Sequence, residues 1–192
     1  EIQQIRTICN KSQLALHLDG ARLWNALIAK NESPLQYGQV FDSISVCLSK
    51  SLGCPVGSLL VGSNSFIKKA RRIRKVFGGG MRQAGFLAAA GIYALDHHIE
   101  RLKTDHLHAT QLGSTLTKLP FVKTVLPVET NIVIFELQDG QSAPALVNTL
   151  RERGILTYAI APNRVRLVTH LDISSAMIDK TVEELNEVTV NG

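Results

Sequence analysis

One stretch, SVCLSKSLGCPVGSLLVG at residues 45–62, constrains the fold more than any other part of the chain. An apolar run ends at a lysine set between two serines, and glycines lead into a second apolar run. With LALHLDG upstream, the first half of the chain carries three such runs, at 14–20, 43–50 and 57–62. Short, nearly continuous apolar runs bounded by Gly, Ser and Asp read as strands buried on both faces. That is the pattern of a parallel sheet with helices on both sides. Three such strands leave an unpaired edge. More sheet is therefore expected to be supplied from elsewhere.

The 192 residues, 45% of them apolar, suffice for one sizeable domain or two small ones. The longest nearly apolar stretch, GFLAAAGIYAL at 85–95, is too short and too rich in Ala and Gly to span a bilayer. The opening EIQQIRTICNKSQ has no signal-peptide architecture, and its Ile2, Ile5 and Ile8 fall at helical spacing. Cys9, Cys47 and Cys54 are an odd number without a metal spacing, and read as reduced thiols of a cytoplasmic protein. The net charge of +5 comes from one segment, KKARRIRK at 68–75, which holds six basic residues and leaves the rest slightly acidic. Nucleic-acid binding calls for basic residues spread along a groove or interleaved with aromatics. The segment reads instead as a basic surface helix or one beside a small anion. No nucleic-acid partner and no membrane are expected.

The pattern predicts helices over 1–13, 21–30 and 64–77, the last capped by Asn64 or Ser65, and helix again from Gln83 to about Lys118 with one bend. Beyond this the character changes. KTVLP, TNIVIFEL, ILTYAI and NRVRLVTH read as strands. SAPALVNTLRERG is a helix with Ser142 as cap and Gly154 as stop, and a last serine-capped helix spans 172–188. The fold class is α/β: residues 1–97 form the C-terminal part of a large, parallel-rich layer. Residues 98–192 form a linking helix and a small α+β unit.

Several residues carry candidate chemistry. Lys50 sits at the mouth of a strand. Burial would lower its pKa toward neutrality and make its amine a nucleophile that forms Schiff bases with carbonyls; alternatively its length simply carries the charge to solvent. Asp19 ends a buried strand, where ligands of open α/β sheets collect. It is either a partner for a protonated pyridine nitrogen or a helix N-cap. The predicted strands of Asp19 and Lys50 are adjacent, so one site could hold both. Arg22 follows Asp19 by three residues. Arg164, Arg166 and Val168 share one strand face by period two, and an arginine there is either a bidentate grip for a carboxylate or a plain edge residue. GGGMRQ at 78–83, with Arg82, is either an anion-binding helix start or a flexible connector. His97, His98, His106 and His108 are read as clustered on one helix, without metal-binding spacing, and are assigned to a solvated face. His17 alternates with Leu16 and Leu18 and is read as packed across the sheet.

Four blocks, LHLDGARLWNAL, SISVCLSKSLGCPVGSLLVG, GGGMRQAGFLAAAGIYAL and RVRLVTHLDIS, together resemble the low-specificity L-threonine aldolases, fold-type I enzymes dependent on pyridoxal 5'-phosphate. The resemblance runs over nearly the whole chain in order and spacing. It implies that Lys50 carries the cofactor as a Schiff base and that Asp19 partners the pyridine nitrogen. By the same resemblance Arg22 lies near the ring and the substrate carboxylate, and Arg166 is the main carboxylate-binding arginine. Arg82 reaches the cofactor phosphate, in the family from a neighbouring subunit; Arg164 falls outside the matched position and is structural.

The family's large domain begins well before this sequence does. The glycine-threonine phosphate loop, a histidine stacked on the cofactor ring and a further histidine for substrate recognition and proton transfer have no counterpart here. The chain is thus expected to be the C-terminal half of the enzyme, needing an N-terminal half from another polypeptide. By resemblance it acts in the cytoplasm on a small amino acid, in a tetrameric homo-oligomer. Threonine or allo-threonine would yield glycine and acetaldehyde. Other fold-type I reactions, β-elimination or racemisation, and an inactive structural role are the alternatives.

Overall fold

A computed structural model describes residues 1–188. The chain divides into two compact units, Glu1–Glu100 and a second from Arg101 onward.

The first unit runs α1 (Ile2–Lys11), β1 (His17–Gly20), α2 (Leu23–Lys30), α3 (Pro34–Val40), β2 (Ser43–Cys47), β3 (Ser58–Gly62), α4 (Asn64–Val76) and α5 (Gly85–His97). Its sheet has the order β1-β2-β3. β1 and β2 are parallel, as the apolar runs predict, with Asp19 opposite Ser45. Gly20 permits that approach, because a Cβ there would lie 2.6 Å from the Ser45 carbonyl oxygen. β3, however, is antiparallel to β2, with Cys47 opposite Ser58. The expectation of an all-parallel set fails because the connection at 48–57 is too short for a crossover, which takes a dozen residues or more. It folds back instead, with the Leu48 N–H bonded to the Gly57 carbonyl at 3.0 Å. Nor is β3 buried on both faces: four of its five residues are exposed and the fifth is half-buried. The core here gathers Leu23 and Leu27 of α2 with Ile44 and Val46 of β2.

α3 has no counterpart among the sequence-predicted elements, yet its start is fully specified. The Ser33 hydroxyl accepts from the Leu35 N–H, Gln36 caps the Ser33 N–H at 3.0 Å, and Pro34 begins the helix. The cap of α4 is Ser63, one residue before the predicted positions, its hydroxyl accepting from the Phe66 N–H.

The second unit contains α6 (Leu102–Leu116), β4 (Val122–Val125), β5 (Ile132–Leu137), α7 (Ala143–Glu152), β6 (Tyr158–Ala161), β7 (Arg164–Val168) and α8 (Ser175–Glu187). The sheet is antiparallel throughout, in the order β4-β5-β7-β6. Alternation along the strands decides which face is covered. Val133, Phe135, Leu137, Val165 and Leu167 are buried with Leu112 and Leu116 of α6, Leu146 and Leu150 of α7, and Ile178 and Leu185 of α8. Ser142 and Ser174 cap α7 and α8 as the sequence predicts, and Gly154 follows α7 at φ +81°. Thr169, just past β7, ties the unit together. Its N–H bonds the Asn131 carbonyl at 3.0 Å and its hydroxyl the Asp105 carbonyl at 2.7 Å.

The predicted helix from Gln83 to Lys118 is two helices, α5 and α6, separated at 98–101. The four histidines therefore do not share one helix: His97 ends α5, His98 is its C-cap, and His106 and His108 belong to α6. Among the described residues no helix is long and apolar enough to cross a membrane, and no group of His, Cys, Asp and Glu is placed to hold a metal ion.

Candidate active site

Parallel pairing puts the carboxyl ends of β1 and β2 on one edge of the sheet, and both candidate residues follow from it. Asp19 is on β1 one residue before its end, exposed. Its Oδ1 accepts the Ala21 N–H at 3.1 Å, an Asx-type turn that leads the chain toward α2. Arg22, half-buried, is the N-cap residue of α2, with φ −132° and ψ 30°.

Lys50 is not the last residue of its strand; β2 ends at Cys47, and the lysine begins a tight turn beyond it. The Gly53 N–H bonds the Lys50 carbonyl at 2.9 Å, with Gly53 in the left-handed region at φ +71°. Lys50 is exposed, whereas Ser51 and Leu52 inside the turn are buried. Of the two sequence alternatives for Lys50, burial at a strand mouth or reach to solvent, the unit shows an exposed lysine in a turn. Among the described residues its ammonium makes no salt bridge.

His98 was assigned by its neighbours in sequence to a solvated face, and it behaves otherwise. It is half-buried and its Nδ1–H donates to the Leu52 carbonyl at 2.7 Å. The signal was present: the buried positions Gly91 and Ala94 continue at helical spacing to residue 98. His17 is exposed rather than packed, because it lies at the start of β1, and its Nδ1 is 2.8 Å from the Ser43 hydroxyl. Burial pushes the Cys54 thiol above its usual pKa, and its Sγ lies 3.7 Å from the Ala90 carbonyl of α5. Arg82 is exposed in the turn before α5, and Gly78 and Gly80 of the same segment adopt φ of +82° and +137°.

In the second unit the strand register separates two arginines on the open face of β7. Arg164 stands opposite Glu136 and is ion-paired with it. Arg166 stands between Ile134 on one side and Tyr158 on the other, so neither cross-strand neighbour neutralises it. Its backbone is held on the β6 side by the Thr157 hydroxyl, which donates to the Arg166 carbonyl at 2.9 Å. Among the described residues Arg166 makes no salt bridge. A cavity of about 540 Å³ in this unit is lined by Leu112, Leu167 and Ile178, which belong to the helix-covered side of the sheet, away from Arg166.

The architecture is shared with solved enzymes. A threonine aldolase from Leishmania major superposes with a TM-score of 0.78 at 19% identity, over 97% of this chain and 55% of that one. The N-acetylornithine aminotransferase of Stenotrophomonas maltophilia K279a superposes with a TM-score of 0.68 at 16% identity, over 97% of this chain and 50% of that one. These likenesses define the class: an α/β chain of the fold-type I kind, with a mixed sheet and a small C-terminal unit. Within that class the chain belongs to the beta-eliminating lyase family, whose model it matches over residues 1–140. It is 40% identical over 179 residues to the low-specificity L-threonine aldolase of Candida albicans, covering 93% of this chain and 47% of the relative. To the low specificity L-threonine aldolase of Escherichia coli K12 it is 47% identical over 161 residues, 84% of this chain and 47% of the relative. The chain spans about half the length of these curated relatives.

Proposed function

We propose that this chain carries the lysine, aspartate and arginines of a pyridoxal-phosphate-dependent threonine aldolase active site, which cleaves L-threonine or L-allo-threonine to glycine and acetaldehyde. The observation that carries the reading is the parallel register of β1 and β2, which brings Asp19 and the Lys50 turn to one sheet edge. The residues fit the cofactor. Lys50 offers an exposed primary amine. Asp19 has one oxygen engaged by the Ala21 N–H, and the other makes no hydrogen bond among the described residues.

Lys50 would hold the cofactor by its amine, and the Asp19 carboxylate, accepting a hydrogen bond from the pyridinium N–H, would keep that nitrogen protonated. When bound, pyridoxal phosphate supplies an electron sink for the pair left on Cα after bond cleavage. By resemblance Arg82 would contribute charge to the phosphate from a neighbouring subunit, and Arg22 would serve the cofactor and the substrate carboxylate. Arg166 grips the amino-acid carboxylate through its two-pronged guanidinium. That grip sets which Cα bond is aligned for cleavage, and alignment selects Cα–Cβ rupture over loss of the carboxylate or the Cα proton. The β-hydroxyl proton goes to a base outside these 192 residues, acetaldehyde leaves, and a proton returned to Cα gives glycine. The working particle on this reading is a cytoplasmic homo-oligomer, tetrameric by resemblance. The half of the relatives' length that this chain does not span supplies the rest of each site.

The family's description favours one second reading, β-elimination, which would release ammonia and an α-keto acid from serine. The test is borohydride reduction of the purified holoenzyme, peptide mapping and product assay. We expect a pyridoxyl group on Lys50 and equal amounts of glycine and acetaldehyde from threonine. An adduct on another lysine would overturn the site, and ammonia from serine without acetaldehyde from threonine would overturn the reaction.

A further inference from the structure

We propose that His98 is a positioning residue for Lys50, acting through a single rigid peptide plane. This rests on the reading of Lys50 as the cofactor lysine. The Lys50 turn closes by one hydrogen bond, from the Gly53 N–H to the Lys50 carbonyl at 2.9 Å. The Leu52 carbonyl and the Gly53 N–H belong to the same planar amide. His98 holds the other end of that amide, its Nδ1–H donating to the Leu52 carbonyl at 2.7 Å. Tilting the amide at its oxygen must tilt it at its hydrogen, so the imidazole is coupled to the Lys50 backbone with no soft torsion between the two bonds.

The donor is itself fixed. His98 caps α5 and its backbone N–H bonds the Ala94 carbonyl at 2.8 Å. Its ring meets Tyr93 edge-on at 5.5 Å between centroids. The same helix holds the turn at two more points. The Cys54 thiol donates toward the Ala90 carbonyl, and Gly91 lies so close to Leu48 that an added Cβ would sit 3.2 Å from a leucine methyl. Leu52 is 1% exposed, so its carbonyl has little recourse to water if the histidine is removed. α5 is thus the platform on which the lysine turn is bolted, and among the described residues of α5 and its cap His98 is the side chain that reaches the Leu52–Gly53 amide.

The test uses the full-length holoenzyme with His98→Leu and His98→Asn, the second retaining a donor at nearly the same reach. Two quantities are read: hydrogen exchange of the Gly53 amide, and the rate at which added pyridoxal phosphate becomes borohydride-trapped on Lys50. His98→Leu is expected to speed the first and slow the second, each about tenfold, and His98→Asn to restore both toward wild type. Wild-type behaviour of both quantities in His98→Leu overturns the proposal and leaves the assignment of Lys50 intact. Equal loss in Leu and Asn variants overturns it too, since the donor would then be irrelevant. Trapping on a different lysine in the unaltered protein instead sinks the reading of Lys50, while Gly53 exchange still decides whether His98 holds the turn.

Discussion

The two units spend their apolar residues differently. In the second, α6, α7 and α8 close over one face of the antiparallel sheet, and Phe135, Val133 and Val165 reach 0% exposure. In the first, Leu59, Leu60 and Val61 of β3 remain exposed, and Phe86 of α5 is 85% exposed. The difference follows from sheet type. An antiparallel sheet with alternating strands needs cover on one face only, and α6, α7 and α8 provide it. A sheet with apolar residues on both faces needs two layers. Lys50 and Asp19 lie in the less buried unit, and Arg166, left without a neutralising cross-strand neighbour by the register, lies in the well-buried one.

The largest expected effect tests that contrast directly. Phe135→Ala should cost about 3–5 kcal/mol in urea unfolding, because it empties a closed core. Leu60→Ala on exposed β3 should stay within about 0.5 kcal/mol. Comparable losses at the two positions would break the comparison.

A second measurement sharpens it. All three cysteines fall in the first unit, with Cys9 and Cys54 buried and Cys47 half-buried. Alkylation under rising urea therefore reports on that unit alone. Cys47 should react first. Cys9 and Cys54 should become reactive at lower urea than that which unfolds the helices of the second unit. Simultaneous release would mean one cooperative body.

The smallest effect concerns α1, whose only buried residue is Cys9. It is tied down by Arg6, whose guanidinium bonds Asp42 at 2.6 Å, while Asp42 also accepts the Leu16 N–H at 2.8 Å. The Arg6 bond first, and the Leu16 bond second, hold the Asp42 carboxyl below its usual range. A depressed carboxyl stabilises the fold above its unfolded pKa, and that contribution fades as pH falls through the folded value. Protection of the Leu16 amide, relative to its intrinsic exchange rate, should be lost as pH falls below the ordinary carboxylate range. Asp42→Asn should show the faster exchange already at pH 7; unchanged exchange in the variant would show that α1 is held by packing.

Much of this was legible in the sequence. Ser142, Ser174 and Gly154 mark helix ends by local chemistry, and the adjacency of the Asp19 and Lys50 strands follows from two buried runs. An apolar run carries no direction, so the direction of β3 was legible only in the short connection at 48–57, which leaves no room for a crossover. α3 was legible and overlooked: Ser33, Pro34 and Gln36 spell a capping box. The contact of His98 with Leu52 was masked, since four histidines at 97, 98, 106 and 108, with no glycine or proline to mark the break at 98–101, read as one polar helix.

The sheet order of the second unit has a consequence for how Arg166 comes into place. β6 and β7 are neighbours in sequence, joined across Pro162 and Asn163, and pair as a local hairpin. β5 reaches β7 only after the chain has passed through α7 and β6. Short-range pairing forms fast, while closing a long loop carries an entropic barrier that sets the pace of folding. Arg166 lies on the strand that both events share. Its neighbour Tyr158 arrives with the hairpin and Ile134 with the closure, so the row around Arg166 is completed by the slow step and a chain caught short of it holds this arginine in solution.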